Sequence, residues 1–467
     1  MPSRRQVLSW MALSGAGLML NGCAAPIGRK TAAAELPELV TQADPRYDAL
    51  RRGYNKRIET FPLAIALCTS TREVAASVRF ARRRNLPIAV RSGGHSMEGF
   101  SSNNGGLVLN LSQLNHIALR DDNSVRTGPG STLSQLNDVL LPQGRLLPAG
   151  SCGSVGIGGL TLGGGYGFFS RQYGLTCDHL RQAIMVDGDG EIRSTRDDPR
   201  LLWALRGGGA GNFGIVTDMI FDTHAAPPTL HSHRIRIKNL RATTAKLWLQ
   251  HWFDFSAQLP NTAFSAFVLN GSTLTVLVTD TAEPNEDMDF LLNYFSAGAD
   301  KFVAGVPMPL AVGLKKHYGL RNPPFFKNAS AGFYRNFADI EAMIKPVLAR
   351  VIDTPGMIYQ VNTLGGEIAS PARAETASYA HREYTYLSEL QAYWEKPEQQ
   401  DVLLAATRDI QQQFFDAGIT AQYVNYCNAD LEQWGRAYYG KNYYRLQEIK
   451  RKYDPENRIR HPQSIAV

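Results

Sequence analysis

Glycine is crowded into two windows of this chain, and that crowding limits the available folds more than any other feature. Residues 149–175 read "AGSCGSVGIGGLTLGGGYGFFSRQYGL", and residues 201–217 read "LLWALRGGGAGNFGIVT". Ordering glycine costs more backbone entropy than ordering any other residue, so such windows persist where the chain must turn tightly or approach something closely. Loops of this kind also expose backbone N–H groups that can cradle a pyrophosphate. The usual dinucleotide fingerprint is GxGxxG directly after a first strand, with an acidic residue some twenty positions on. "GIGGLTLGGGYG" does not sit in that context, which argues against an NAD-type Rossmann domain.

With 467 residues, 44% of them hydrophobic, the chain suits one large or two medium domains with well-filled cores. Lys and Arg total 49 against 42 acidic residues, without the arginine blocks or aromatic interleaving of a nucleic-acid groove. The small basic excess is therefore read as surface chemistry. Five cysteines, at 23, 68, 152, 177 and 427, include no CxxC pair, so neither a zinc site nor a disulfide scaffold is expected and no metal is assigned. At the start, Arg4 and Arg5 precede an apolar stretch over residues 7–20 and then small residues, the pattern of an export signal over residues 1–30. The paired arginines resemble the bacterial twin-arginine signal, which implies a periplasmic or cell-envelope location. "LNGC", ending at Cys23, is open to two readings: a lipoprotein box with lipid on Cys23 as the one membrane attachment, or ordinary cleavage near Ala25.

Past residue 45 the pattern becomes regular. "FPLAIALC" predicts a buried strand, and "STREVAASVRFARRRN" predicts a helix opened by Ser70 and Glu73 at capping-box spacing. "PIAVR" is a second strand, so a strand–helix–strand unit delivers Ser92, Gly93, Gly94 and His95 to a strand's carboxyl end, where α/β proteins place ligands. "STLSQLNDVLLPQG" predicts a short helix ending before Gly144. Composition shifts at "THAAPPT", residues 223–229, and from about 230 to 420 alternating runs predict an antiparallel sheet with helices on one face. Near the end, residues 442–452 predict a helix stopped by Asp454 and Pro455.

Four separated motifs then carry a resemblance. "RSGGHS" (91–96), "GSCGSVGIGGLTLGGGYGFFSRQYGLTCDHL" (150–180), "WALRGGGAGNFGIVT" (203–217) and "YYRLQEIKRKYDPENRIRHPQSI" (443–465) together resemble the berberine bridge enzyme-like flavoproteins of the vanillyl-alcohol oxidase superfamily. The match runs in order from about residue 45 to the C-terminus. It implies an α+β fold: a two-part FAD-binding domain of the PCMH type over 45–225, a substrate-binding domain on the antiparallel sheet over 226–420, and a segment over 421–467 returning to the FAD-binding domain. It also implies FAD attached twice, by an 8α-histidyl bond at His95 and a 6-S-cysteinyl bond at Cys152. An imidazole nitrogen and a thiolate are suitable nucleophiles for an electron-poor ring.

The resemblance places Arg91, Ser92, Gly93, Gly94, Ser96, Gly153, Val155, Gly156, Gly158, Gly159, Gly163, Gly164 and Gly165 against the cofactor, with Gly214, Ile215 and Val216 on its adenine side. It implies hydride transfer from a substrate carbon to the flavin, helped by a base that takes the hydroxyl proton. Tyr426 and Tyr423 of "YVNY" are candidates if something lowers their pKa. Glu389 of "REYTYLSELQAYW" is the third; period-two alternation puts it with Thr385, Leu387 and Gln391 on one face and Tyr384, Tyr386, Ser388 and Leu390 on the other. Val155 matches a position linked to oxygen access, and Leu160 departs from the pattern, standing where many members carry a histidine near the flavin. The expected protein is an exported FAD-linked oxidase acting on an alcohol or sugar-like hydroxyl, with oxygen reduced to hydrogen peroxide. Alternatives are a dehydrogenase with another acceptor and a noncatalytic envelope lipoprotein that keeps the flavin fold.

Overall fold

The computed structural model describes residues 36–467 apart from Arg321; the expected export signal over residues 1–30, with Cys23, lies outside the described residues. The apolar runs become strands where they were expected. Ala64–Leu67 is buried along its whole length and is followed by the helix Thr71–Arg83, whose Val74, Val78 and Ala81 face the core. Ser70 caps this helix by accepting from the Glu73 N–H, worth roughly 1 kcal/mol. The expected capping box closes one residue early: the Glu73 carboxylate takes the Thr69 N–H at 2.7 Å instead of that of Ser70. Asn85, at φ 51°, ends the turn in the left-handed region that asparagine tolerates.

The next strand, Ile88–Arg91, lies parallel to Leu107–Asn110, which also pairs in parallel with Ala64–Leu67; Glu38–Val40 joins antiparallel at the edge. A five-stranded antiparallel sheet follows, in the order Ile117–Leu119, Ser124–Thr127, Ile215–Asp222, Leu180–Val186 and Ile192–Ser194. The two sheets share a core in which Val186 and Ile215 meet Val74, Val78 and Ile88.

Beyond Thr229 the chain builds an eight-stranded antiparallel sheet. On one face lie the helices Ala242–Ser256, Glu286–Ser296, Ile344–Ile352 and Gln400–Asp416, whose Trp252, Phe295, Leu348 and Phe414 share a core with Phe267, Val276, Tyr359 and Leu390 of the strands. Residues of opposite parity, including Phe264, Ala266, Val268 and Glu389, face a cavity of about 640 Å³ that also touches the glycine loops. The C-terminal helix, Tyr443–Tyr453, comes back to the first two sheets. Its fully buried Lys450 donates to the carbonyls of Asn212 (2.7 Å) and Ile459 (2.8 Å) and to Asp454, and Ile459 bridges to Ile88. The overall class is α+β, as expected.

Candidate active site

One wall of the cavity is made of backbone. The loop after Ile88–Arg91 and the loop entering the helix Ile157–Leu162 touch through Gly93 and Gly156: a Cβ on Gly93 would lie 2.4 Å from the Gly156 nitrogen, and one on Gly156 would lie 2.3 Å from the Ser92 hydroxyl. Only glycine permits this approach, and it brings His95 and Cys152 onto the same wall. His95 stacks on Tyr54 (ring centroids 4.0 Å apart), and its Nε2 lies 3.1 Å from the Ser154 hydroxyl. Burial pushes its pKa down to about 4, so the imidazole is neutral and keeps a lone pair at neutral pH. The Cys152 thiol lies against Gly319, and burial followed by the charge of Glu389 raises its pKa. Gly94, Ser92, Ser96, Val155, Gly158, Gly159, Gly214 and Val216 also line the cavity. Backbone closeness, a neutral imidazole and a free thiol on one wall fit a flavin lying against it.

The opposite wall is made of side chains from the large sheet. Glu389, Gln391 and Tyr393 alternate along Tyr386–Trp394, with Asn328 and Gln360 on the neighbouring strands. Gln391 Nε2 donates to Glu389 Oε2 at 2.9 Å and to Gln360 Oε1 at 3.1 Å; Gln360 Nε2 donates on to Asn362 Oδ1 at 2.8 Å. Asn328 Nδ2 donates to Glu389 Oε1 at 3.3 Å and to the Tyr393 hydroxyl at 3.1 Å. Burial pushes the Glu389 carboxyl up to about 7, with hydrogen bonds from Gln391, Tyr426 and Asn328 opposing the rise. A carboxyl poised there exchanges a proton readily near neutral pH.

The tyrosines behave differently. Tyr426 and Tyr166 share a short hydroxyl–hydroxyl hydrogen bond, and burial, then the charge of Glu389, holds both well above the usual phenol range. Tyr423 accepts from the Gly165 N–H (2.9 Å) and from Asn425 Nδ2 (3.0 Å), and burial pushes it up to about 12. The lowering that would make either tyrosine a base is not seen around these side chains.

Comparison with known proteins bears on this arrangement. Residues 62–196 match the FAD binding domain family, and residues 422–466 match the berberine and berberine-like family. An uncharacterized FAD-linked oxidoreductase of Bacillus subtilis, YvdP, is 30% identical over 91% of this chain and 97% of its own length. The chain belongs to the berberine bridge enzyme-like FAD-linked oxidoreductases. A chitooligosaccharide oxidase of Gibberella zeae is 29% identical over 88% of this chain and 89% of its own. Among solved structures, the glucooligosaccharide oxidase of Acremonium strictum, whose crystal structure is described as revealing a novel flavinylation, aligns with a TM-score of 0.84 at 25% identity, covering 92% of this chain and 96% of that one. The protein is thus an oxidoreductase that binds FAD.

Within this berberine bridge enzyme-like fold, six expected cofactor residues do not face the cavity. Arg91 alternates away between Val90 and Ser92, and its guanidinium donates to the carbonyls of Leu50, Arg51 (2.8 Å) and Arg52 (3.1 Å) at the end of the helix Tyr47–Arg51. Ile215 alternates in the same way between Gly214 and Val216 and is buried in the core beneath. Gly153 is covered by the Tyr318 ring, 2.6 Å from where a Cβ would stand. Gly163, Gly164 and Gly165 meet Asn425, Tyr379 and Thr176; with φ of 121° and 82°, Gly164 and Gly165 form the turn that seats Tyr423. Leu160 is on the cavity wall, and its apolar side chain supplies no donor where the family resemblance implies a histidine. Conversely, Tyr54, Tyr166, Asn328, Gln360 and Asn362 line the cavity without having been singled out from sequence. For Asn328, Gln360 and Asn362 the one signal was polar residues interrupting alternating strands, as in Gln360-Val361-Asn362; Tyr54 and Tyr166 lie in loops and gave none.

Proposed function

We propose that the protein oxidises a hydroxyl-bearing carbon of a sugar-like substrate, with FAD held covalently through His95 and Cys152 and with oxygen as the electron acceptor. The observation that carries this reading is Glu389: a buried carboxyl near neutrality, held by two amides, facing a glycine wall that bears a neutral imidazole and a thiol. The chemistry that bound FAD supplies is acceptance of a hydride and return of the electrons to oxygen as hydrogen peroxide. Glu389 takes the hydroxyl proton. Its carboxylate has lone pairs to spare beyond those used by Asn328 and Gln391, so a substrate hydroxyl can donate to it directly. Tyr426 and Tyr166, protonated, offer hydroxyls to the same pocket. The amide row of Asn328, Gln391, Gln360 and Asn362, in a cavity also lined by the rings of Phe264 and Tyr393, suits a polyhydroxylated ligand with polar edges and apolar faces. The chitooligosaccharide and glucooligosaccharide oxidases among its relatives support that class. Export through the Arg4–Arg5 signal belongs to the same proposal, because that route carries proteins already folded around a cofactor.

The test starts with the holoprotein denatured in acid. Yellow colour should stay with the polypeptide in the wild type, in His95→Ala and in Cys152→Ala, and leave only in the double variant; free flavin from the wild type refutes covalent attachment. A panel of alcohols and oligosaccharides under air should then give peroxide with sugars. Flavin bleaching by a sugar without peroxide would instead identify a dehydrogenase.

A further inference from the structure

A buried charge cluster sits where four pieces of the chain meet beside the cavity. Lys327 and Glu98 each leave only 3% of the side chain exposed. Lys327 Nζ donates to Glu98 Oε1 and, at 2.7 Å, to Asn428 Oδ1, with Asp430 at 3.4 Å. Arg57 Nη2 donates to Glu98 Oε2 at 2.6 Å and its Nε donates to the Phe326 carbonyl at 3.2 Å. Asn55 Nδ2 ties the carbonyls of Met97 (2.8 Å) and Phe326 (3.0 Å) together.

Three of its members lie close in sequence to residues of the site. Glu98 is three positions past His95, Lys327 directly precedes Asn328, and Asn428 is two positions past Tyr426. Among the described residues, the strand that carries Lys327, Phe325–Tyr334, is an edge strand paired only with Tyr386–Trp394. The Phe326 carbonyl of this strand accepts from Asn55 and Arg57 of the cluster, and the Ser330 carbonyl accepts from Gln411. Burying two charges carries a large desolvation cost, and an apolar pair of similar volume is often as stable, so stability alone does not account for the arrangement. Position does. The Asn328–Glu389 hydrogen bond is already 3.3 Å long, and a slide of the edge strand by a few tenths of an ångström would break it.

We propose that Lys327 and Glu98 are positioning residues: their ion pair locks the edge strand to the His95 loop, and through Asn328 keeps Glu389 in register with the glycine wall. The inference rests on Glu389 being the proton acceptor. The other titratable groups facing Glu389 are Tyr166, Tyr393, Tyr426 and Cys152, and none of them touches the pair.

The test reads Glu389 without substrate. Infrared difference spectra of the holoprotein between about pH 5 and pH 9 follow its carboxylic acid C=O band, assigned by the band's absence in Glu389→Gln. In Lys327→Met the titration midpoint should rise by about one unit, because the charged form loses a hydrogen bond, and in Lys327→Arg it should return. Flavin reduction by substrate should slow about tenfold in Lys327→Met with KM little changed. A lower melting temperature with an unmoved midpoint would make the pair purely structural and overturn the inference; so would a Lys327→Arg midpoint no different from that of Lys327→Met. Should Lys327→Met fail to fold, the double variant Glu98→Gln/Lys327→Met, which removes both charges, is read in the same way. If no substrate reduces the wild-type flavin, the proposed function fails while the infrared result still decides the positioning role.

Discussion

The two walls of the cavity solve the same problem by opposite means. The glycine wall is shaped by the absence of side chains: Gly93 against Gly156, and Gly158 against Pro129, each approach that closely only because no Cβ intervenes. The sheet wall is shaped by their presence, with Asn328, Gln360, Glu389 and Gln391 joined in one hydrogen-bonded row across three strands. The first wall therefore tolerates no added atoms at its contacts, whereas the second tolerates changes of shape but not of hydrogen-bonding or acid–base character.

The sharpest way to break this contrast is Gly93→Val. Its branched side chain would enter the Gly156 backbone, and the cost should exceed about 4 kcal/mol, read as insoluble or flavin-free protein. Normal melting and flavin content would show that the two loops are not interlocked. Next in size is Glu389→Gln, which keeps the shape but removes the base and turns one of the two oxygens that accept from Asn328 and Gln391 into a donor; kcat should fall roughly 10²- to 10³-fold with KM little changed. The same variant tests linkage. A carboxyl raised from 4.5 to about 7 binds a proton more tightly in the folded state, so its contribution to stability is full at low pH and is lost as pH rises toward and through 7. Wild type should therefore lose about 3 kcal/mol between pH 4 and pH 8 through this group, and Glu389→Gln should lack that component in denaturant titrations at the two pH values.

Two smaller changes refine the comparison. Tyr423→Phe leaves the buried Gly165 N–H and the Asn425 amide short of an acceptor, for about 1–2 kcal/mol in chemical denaturation, with kcat reduced far less than by Glu389→Gln. Equal losses of activity would return Tyr423 to the chemistry. Gly159→Ala is the mildest: a Cβ there meets nothing within 4 Å, so the fold should gain about 0.5–1 kcal/mol. Because Gly159 faces the cavity, flavin loading should nevertheless drop, and unchanged loading would move the cofactor away from that position.

Local patterns in the chain were enough for the strand–helix–strand unit over 64–91, the helix that Asp454 ends, and the alternation that turns Glu389 and Gln391 to one side. They stopped short where one residue's direction depends on a neighbour far away. Arg91 and Ile215 sit inside the right motifs yet point from the cavity, because alternation at a strand end is set by the sheet it joins. Gly163, Gly164 and Gly165 belong to the densest glycine run but make room for Asn425, Tyr379 and Thr176.

The sequence by itself determined where the backbone had to be bare and which strands had to be two-faced, since glycine clustering and period-two alternation are properties of neighbours along the chain. Only the tertiary structure decided that Glu389 is the carboxyl pushed toward neutrality while the tyrosines beside it stay protonated. Burial and hydrogen-bond partners set that difference, and the partners come from strands as far apart in sequence as Asn328 and Gln391.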